Sequence, residues 1–118
     1  MSGRITYRDT KPFCVPVSLD ELTGPSTGLV HLPVRLSWAP GDGSFNLDDD
    51  GERTTVYQCV IGEGSVEDQC RYLNRDILTD MWPTLRLDLA ITAAWENRFT
   101  ALRGRNKWLA LYSRRNAS

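Results

Sequence analysis

Apolar and polar residues change their spacing twice along this chain, and each change predicts an element. Over residues 32–38 they alternate, with Leu32, Val34, Leu36 and Trp38 on one side and Pro33, Arg35 and Ser37 on the other. That is the period of a half-buried strand, and Pro33 puts it at a sheet edge or delays its ladder. Residues 39–43, Ala-Pro-Gly-Asp-Gly, read as a reversing turn, because proline presets one φ and the glycines accept positive φ. Residues 44–47 then predict a short returning strand. Asp50-Gly51 is a hairpin signal. Beyond it, residues 53–61 carry Thr54, Thr55, Val56, Tyr57, Val60 and Ile61. Such β-branched and aromatic character, apolar on both faces, predicts a covered central strand. Together these segments predict a small antiparallel meander over residues 30–62.

After Gly62-Glu63-Gly64 the period becomes helical. Ser65, followed by Val66, Glu67 and Asp68, has the form of an N-cap with acids in the first turn. Val66, Cys70 and Leu73 recur at helical spacing, predicting a helix over 66–73 that Asn74 ends. Asp76 is positioned to cap a second short helix containing Ile77, Leu78, Met81 and Trp82, stopped at Pro83. The clearest helix follows Asp88, with Ile91, Ala94, Trp95, Phe99 and Leu102 on one broad face. Gly104 is placed to terminate it, and Arg103 is favourable near its negative end.

The fold expected is therefore α+β in a single domain, a small antiparallel β-meander followed by two or three helices. Residues 1–28, rich in Pro, Thr, Ser and Gly, form an irregular lead-in whose apolar patch is Phe13-Cys14-Val15-Pro16-Val17. Residues 19–22 allow one helical turn before the Gly24-Pro25 breaker. The domain proper is expected over residues 29–112, and 113–118 as a basic flexible tail. Neither an internal repeat nor a low-complexity tract interrupts this plan.

Composition narrows the class of protein. With 41% hydrophobic and 25% charged residues in 118, the chain can support a packed core. The N-terminus shows no continuous apolar signal region and the apolar runs are too short for a bilayer, so a cytoplasmic protein without a membrane partner is expected. Cys14, Cys59 and Cys70 are odd in number and lack CxxC spacing, which argues against a disulfide framework or zinc ribbon. Cys70 becomes a reactive thiol only if it lies near a helix N-terminus. The net charge of −1 conceals a polarised chain. Residues 103–118 hold five cations and no acid, while the other nine cations face all fifteen acids.

Candidate chemistry is sparse. Asn46, Asp48, Asp50 and Gly51 occupy the first, third, fifth and sixth positions of a calcium loop, but Arg53 and Tyr57 stand where an apolar residue and a bidentate Glu are required. A solvated turn is the expectation, with no metal and no cofactor. A Ser–His or Cys–His mechanism must use the sole histidine, His31, and no nucleophile elbow accompanies it. Gly41-Asp42-Gly43 and Gly62-Glu63-Gly64 lack the full phosphate-loop spacing. No catalytic residue is assigned, and an enzyme ranks behind two binding readings.

The first of these is a non-enzymatic interaction domain that binds another protein, with Trp82, Trp108 and Tyr112 as contact residues, since aromatics concentrate interface energy. The second is a nucleic-acid-binding accessory protein for DNA or RNA. It would set Arg103, Arg105, Lys107, Arg114 and Arg115 against phosphates, with Trp108 or Tyr112 stacking on bases. Against free exposure, Trp108, Leu109, Leu111 and Tyr112 are costly to leave in water, which favours their docking on the core. The opposed charges of the acidic loop and the basic end also permit head-to-tail self-association into a homo-oligomer.

Overall fold

The computed structural model describes residues 14–36 and 43–116, with side chains as far as Tyr112. It contains a two-stranded antiparallel sheet, β1 (Leu29–His31) and β2 (Ser44–Asn46), then five helices. These are α1 (Asp50–Glu63), α2 (Val66–Tyr72), α3 (Arg75–Met81), α4 (Leu89–Arg98) and α5 (Lys107–Asn116). Single 3-10 turns lie at Leu19–Glu21 and Trp82–Thr84. The α+β class and the order of sheet before helices match the sequence expectation. Among the described residues, no helix is long and apolar enough to cross a membrane.

Two parts of the expected meander are corrected. In β1 and β2, Val30 faces Phe45 across the ladder and both are buried. The chain leaves the ladder after His31 and turns, with the Leu36 N–H donating to the Pro33 carbonyl. Leu32 and Leu36 are buried on either side of this turn, while Val34 is fully exposed. Their spacing had imitated strand alternation. Trp38 and Asp42, part of the expected strand and turn, lie outside the described residues.

The larger correction is α1, expected as a strand over residues 53–61. Its buried side chains include Val56, Tyr57, Val60 and Ile61, which recur at the i, i+1, i+4, i+5 spacing of a helix face. Asp49 is the N-cap and accepts the Glu52 N–H at 2.9 Å. The Asp-Gly pair therefore starts a helix rather than a hairpin. Thr54 and Thr55, read as strand formers, donate their hydroxyls to carbonyls four residues back. Propensity differences of up to about 0.7 kcal/mol per residue are overridden when a whole face is buried.

The remaining helices keep close to their expected positions. Ser65 caps α2 in a full capping box with Asp68. Asn74, expected only to end that helix, is the N-cap of α3 and takes the Asp76 and Ile77 N–H groups. This corrects the cap from Asp76 to Asn74. Pro83 lies inside the 3-10 turn after α3, and Asp88 caps α4 as expected. Gly104 lies beyond the end of α4, in the turn leading to α5, with φ of 75°. Lys107, Arg114 and Arg115 fall within α5, and Arg103 and Arg105 in the turn before it.

The core joins both halves. Tyr57, Leu73, Leu78, Trp82, Trp95 and Leu102 have no exposed surface, and the Trp82, Trp95 and Phe99 rings stack in sequence at centroid separations of 6.2 and 5.5 Å. The described end of the lead-in is tied to the helices. Thr23 bridges to Asn74, the Gly24 N–H donates to the Leu73 carbonyl at 2.7 Å, and the Arg75 N–H donates to the Leu22 carbonyl. Asn74 closes the joint by donating its backbone N–H to the Tyr57 hydroxyl and its side-chain amide to the Gly24 carbonyl.

An ion pair between a buried carboxylate and an exposed guanidinium fixes the loop after β1 to α2. The Arg35 guanidinium grips Asp68 with two hydrogen bonds of 2.7 and 2.8 Å, and the Ser65 backbone and hydroxyl donate to the same carboxylate. The Arg35 contacts, reinforced by Ser65, hold Asp68 well below the ordinary carboxylate range. A carboxylate whose folded pKa is depressed gives stability that is complete above its unfolded value, near 3.8. That stability is lost as pH falls through the lower folded value. Denaturant melts should thus show stability declining below about pH 4, with a shallower acid slope in Asp68→Asn. At neutral pH this substitution should cost about 1–3 kcal/mol, since one partner of the pair is solvent-exposed.

Gly24 supplies a second test. A Cβ there would lie 2.5 Å from the Tyr72 carbonyl carbon and 2.8 Å from the Arg71 oxygen, both rigid backbone. Gly24→Ala should lower stability by about 1–3 kcal/mol in thermal melts. Gly62→Ala, in α1 with open space around the added carbon, should be neutral or stabilising by up to about 1 kcal/mol.

Candidate interaction surface

The surface is assembled from the inside outward, beginning with a glutamate. Glu96 on α4 is buried, and its two oxygens accept from the Trp82 indole (3.0 Å), the Gly104 N–H (2.9 Å) and the Asn106 N–H (2.9 Å). Asn106, also buried, donates its side-chain amide to the Trp82 and Leu85 carbonyls at 2.8 Å each. Its side-chain oxygen accepts the Trp108 and Leu109 N–H groups at 3.1 Å, so it caps α5. The start of α5 is thereby fixed against the 82–85 turn. Arg103 covers carbonyls at the C-terminal end of α4, donating to Glu96 and Asn97, the role expected of a cation there.

Outside this network lies Trp108. Its indole N–H donates to the Thr84 carbonyl at 3.1 Å. The Arg86 guanidinium carbon and the Lys107 ammonium stand over its ring, 4.5 and 4.9 Å from the centroid. Trp108 lines a groove of about 470 Å³ with Arg86, Leu87, Asp88, Leu89, Leu111 and Tyr112. A second depression of about 450 Å³ shares Arg86, Leu87 and Asp88 and extends to Gln58, Gly62, Glu63 and Ile91. Leu111 and Tyr112 are 45% and 51% exposed beside this groove.

Of the three residues expected to contact a protein, two meet here. Trp108 and Tyr112 share the groove, whereas Trp82 is completely buried and hydrogen-bonded to Glu96. Trp82 had been expected near a breaker and so at the surface; instead Pro83 turns the chain within a 3-10 turn and leaves the ring inside the aromatic stack. The expected nucleic-acid residues divide as well. Arg103 and Arg105 donate to backbone carbonyls, and Lys107 stands over Trp108. Arg114 and Arg115 lie on α5, outside the described side chains.

Other candidates lose their chemical setting. Cys70 belongs to the last half of α2 rather than its N-terminus, and burial together with Glu21 pushes its thiol pKa up. It is not an activated thiolate. His31 is exposed on β1 with its Nδ1 3.3 Å from the Ser44 hydroxyl of the paired strand. Among the described residues, no three His, Cys, Asp or Glu side chains gather as metal ligands would. The acidic loop is largely engaged: Asp49 caps α1, Asp50 pairs with Arg53, and Glu52 accepts the Asn46 N–H.

The sequence reading missed Glu96, Asn106 and Arg86. Asn106 carried a signal, since asparagine before an apolar run is an N-cap signature. A glutamate beside Trp95 reads as solvent-exposed, and Arg86 has no local pattern. Comparison with protein-family models, curated proteins and solved structures found no match to this chain.

Asn106→Ala removes the cap and takes a donor from the Leu85 carbonyl and one of two donors from the Trp82 carbonyl. It should cost about 2–4 kcal/mol in denaturant melts and raise amide exchange over residues 107–112. An unchanged exchange profile there would refute the anchoring role.

Proposed function

We propose that this chain is a small non-enzymatic interaction domain that holds a segment of another protein in the groove between α5 and residues 86–89. One observation carries the reading. Leu111 and Tyr112 remain about half exposed beside the groove, on a helix whose start is secured by Asn106. Apolar groups left in water on a rigid support are disfavoured unless a partner covers them. Aromatic side chains with polar tips are also well suited to anchoring interfaces. A cytoplasmic location belongs to the same proposal, with Cys14 and Cys70 as thiols in its support.

The alternative is a nucleic-acid partner held by Arg103, Arg105, Lys107, Arg114 and Arg115. It is favoured by the absence of any acid in residues 103–118. It has weaker support, because Arg103 and Arg105 spend donors on backbone carbonyls and the Trp108 ring already lies beneath two cations.

Affinity capture from source cells, with and without nuclease, separates the two when the wild type is compared with the folded Leu111→Ser/Tyr112→Ser variant. The expected result is a protein retained by the wild type, indifferent to nuclease and lost from the variant. The purified partner should then bind the variant at least about tenfold more weakly, a loss of about 1.4 kcal/mol. Retention that vanishes with nuclease, or that survives both substitutions, overturns the proposal.

A further inference from the structure

The cations of the groove differ from four arginines elsewhere in what they face. Arg35, Arg53, Arg71 and Arg75 each stand within ion-pair distance of a carboxylate. Arg86 and Lys107 both stand over the Trp108 ring, with no carboxylate in ion-pair contact with either among the described residues. Asp88, the acid among the lining residues, already accepts the Ala90 N–H as the cap of α4. No acid occurs in α5, which adds Arg114 and Arg115 farther along.

A guanidinium over an aromatic ring is attracted through its charge and needs none of its N–H donors to stay there. Its side chain has already lost much of its freedom, so a carboxylate meets a preorganised fork at reduced entropic cost. Around this charge the groove offers Leu87, Leu89 and Leu111. A ligand that satisfies both surfaces must combine carboxylates with aliphatic or aromatic groups. The chain's own acidic loop is poorly suited, because Asp49, Asp50 and Glu52 already have partners.

We infer that the occupant is an acidic amphipathic segment of a partner protein, its carboxylates received by Arg86 and Lys107 and its apolar side chains by Leu87, Leu89 and Leu111. The inference rests on the groove being a protein-docking site, and it adds the chemistry of the partner.

The probe is a random peptide library displayed on phage, sorted on the full chain and counter-selected on Leu111→Ser/Tyr112→Ser. Peptides that alternate Asp or Glu with Leu, Ile or Phe should be enriched. As synthetic peptides they should bind about tenfold more weakly to Arg86→Gln/Lys107→Gln and several-fold more weakly as salt rises from about 0.15 to about 0.5 M. Circular dichroism shows whether the variants are folded. Enriched peptides without acids, indifferent to Arg86→Gln/Lys107→Gln, would overturn the acidic partner while leaving the docking groove intact. If no peptide depends on Leu111 and Tyr112, both readings fail. Stronger binding of an oligothymidylate or of phosphatidylserine vesicles at this surface would also overturn the inference.

Discussion

The second half of this domain depends on the Glu96 side chain. One buried carboxyl group receives an indole from the 3-10 turn, the N–H of Gly104 and the N–H of Asn106. Three segments that share no regular ladder are thus held at one point. Buried acceptors are expensive unless satisfied, so the chain must bring these donors together to bury Glu96 at all. Gly104 makes this practicable, because its positive φ lets the backbone turn after α4 and point its amide inward. Asn106 then passes the constraint to α5 through the two amides it caps.

The first half has a corresponding centre in Asp68. Its carboxylate completes the α2 cap and receives Arg35 from the loop after β1. A short sheet of two strands is marginal alone, and this pair, with Val30 and Phe45 buried in the common core, couples it to the helices. The two halves use the same device of one acid gathering donors from separated segments, with apolar packing between them. Trp95 Nε1 and Gln69 Oε1 are buried without partners among the described residues, a local cost that the surrounding aromatic and aliphatic burial must offset.

Sequence patterns exposed the elements whose signals were local. The Ser65 and Asp88 caps and the α4 face were legible because capping chemistry and helical spacing coincide within a few residues. The strand expected over residues 53–61 is a helix because burial follows the spacing of Val56, Tyr57, Val60 and Ile61 rather than β-branched content, and because Asp49, in a run that resembles a turn, caps it at Glu52. Leu32 and Leu36 misled similarly, since burial on both sides of a turn resembles alternation. Of the candidate surface, Trp108 and Tyr112 were legible as amphipathic aromatics on a basic segment. Burial of Trp82 and the stacking of Arg86 were not, because both arise from contacts between residues distant in sequence.

The joint between the lead-in and α3 bears on how the molecule is made. The Asn74 amide reaches the Gly24 carbonyl across 50 positions of sequence, and the Gly24 backbone packs too closely on residues 71–73 to admit a Cβ. Closing so wide a loop is entropically unfavourable before the helices are in place. Attachment of residues 14–24 should therefore come after the rate-limiting step. Weakening it should steepen escape from the native state while leaving the return rate nearly unchanged, a partition visible in the two arms of a chevron plot.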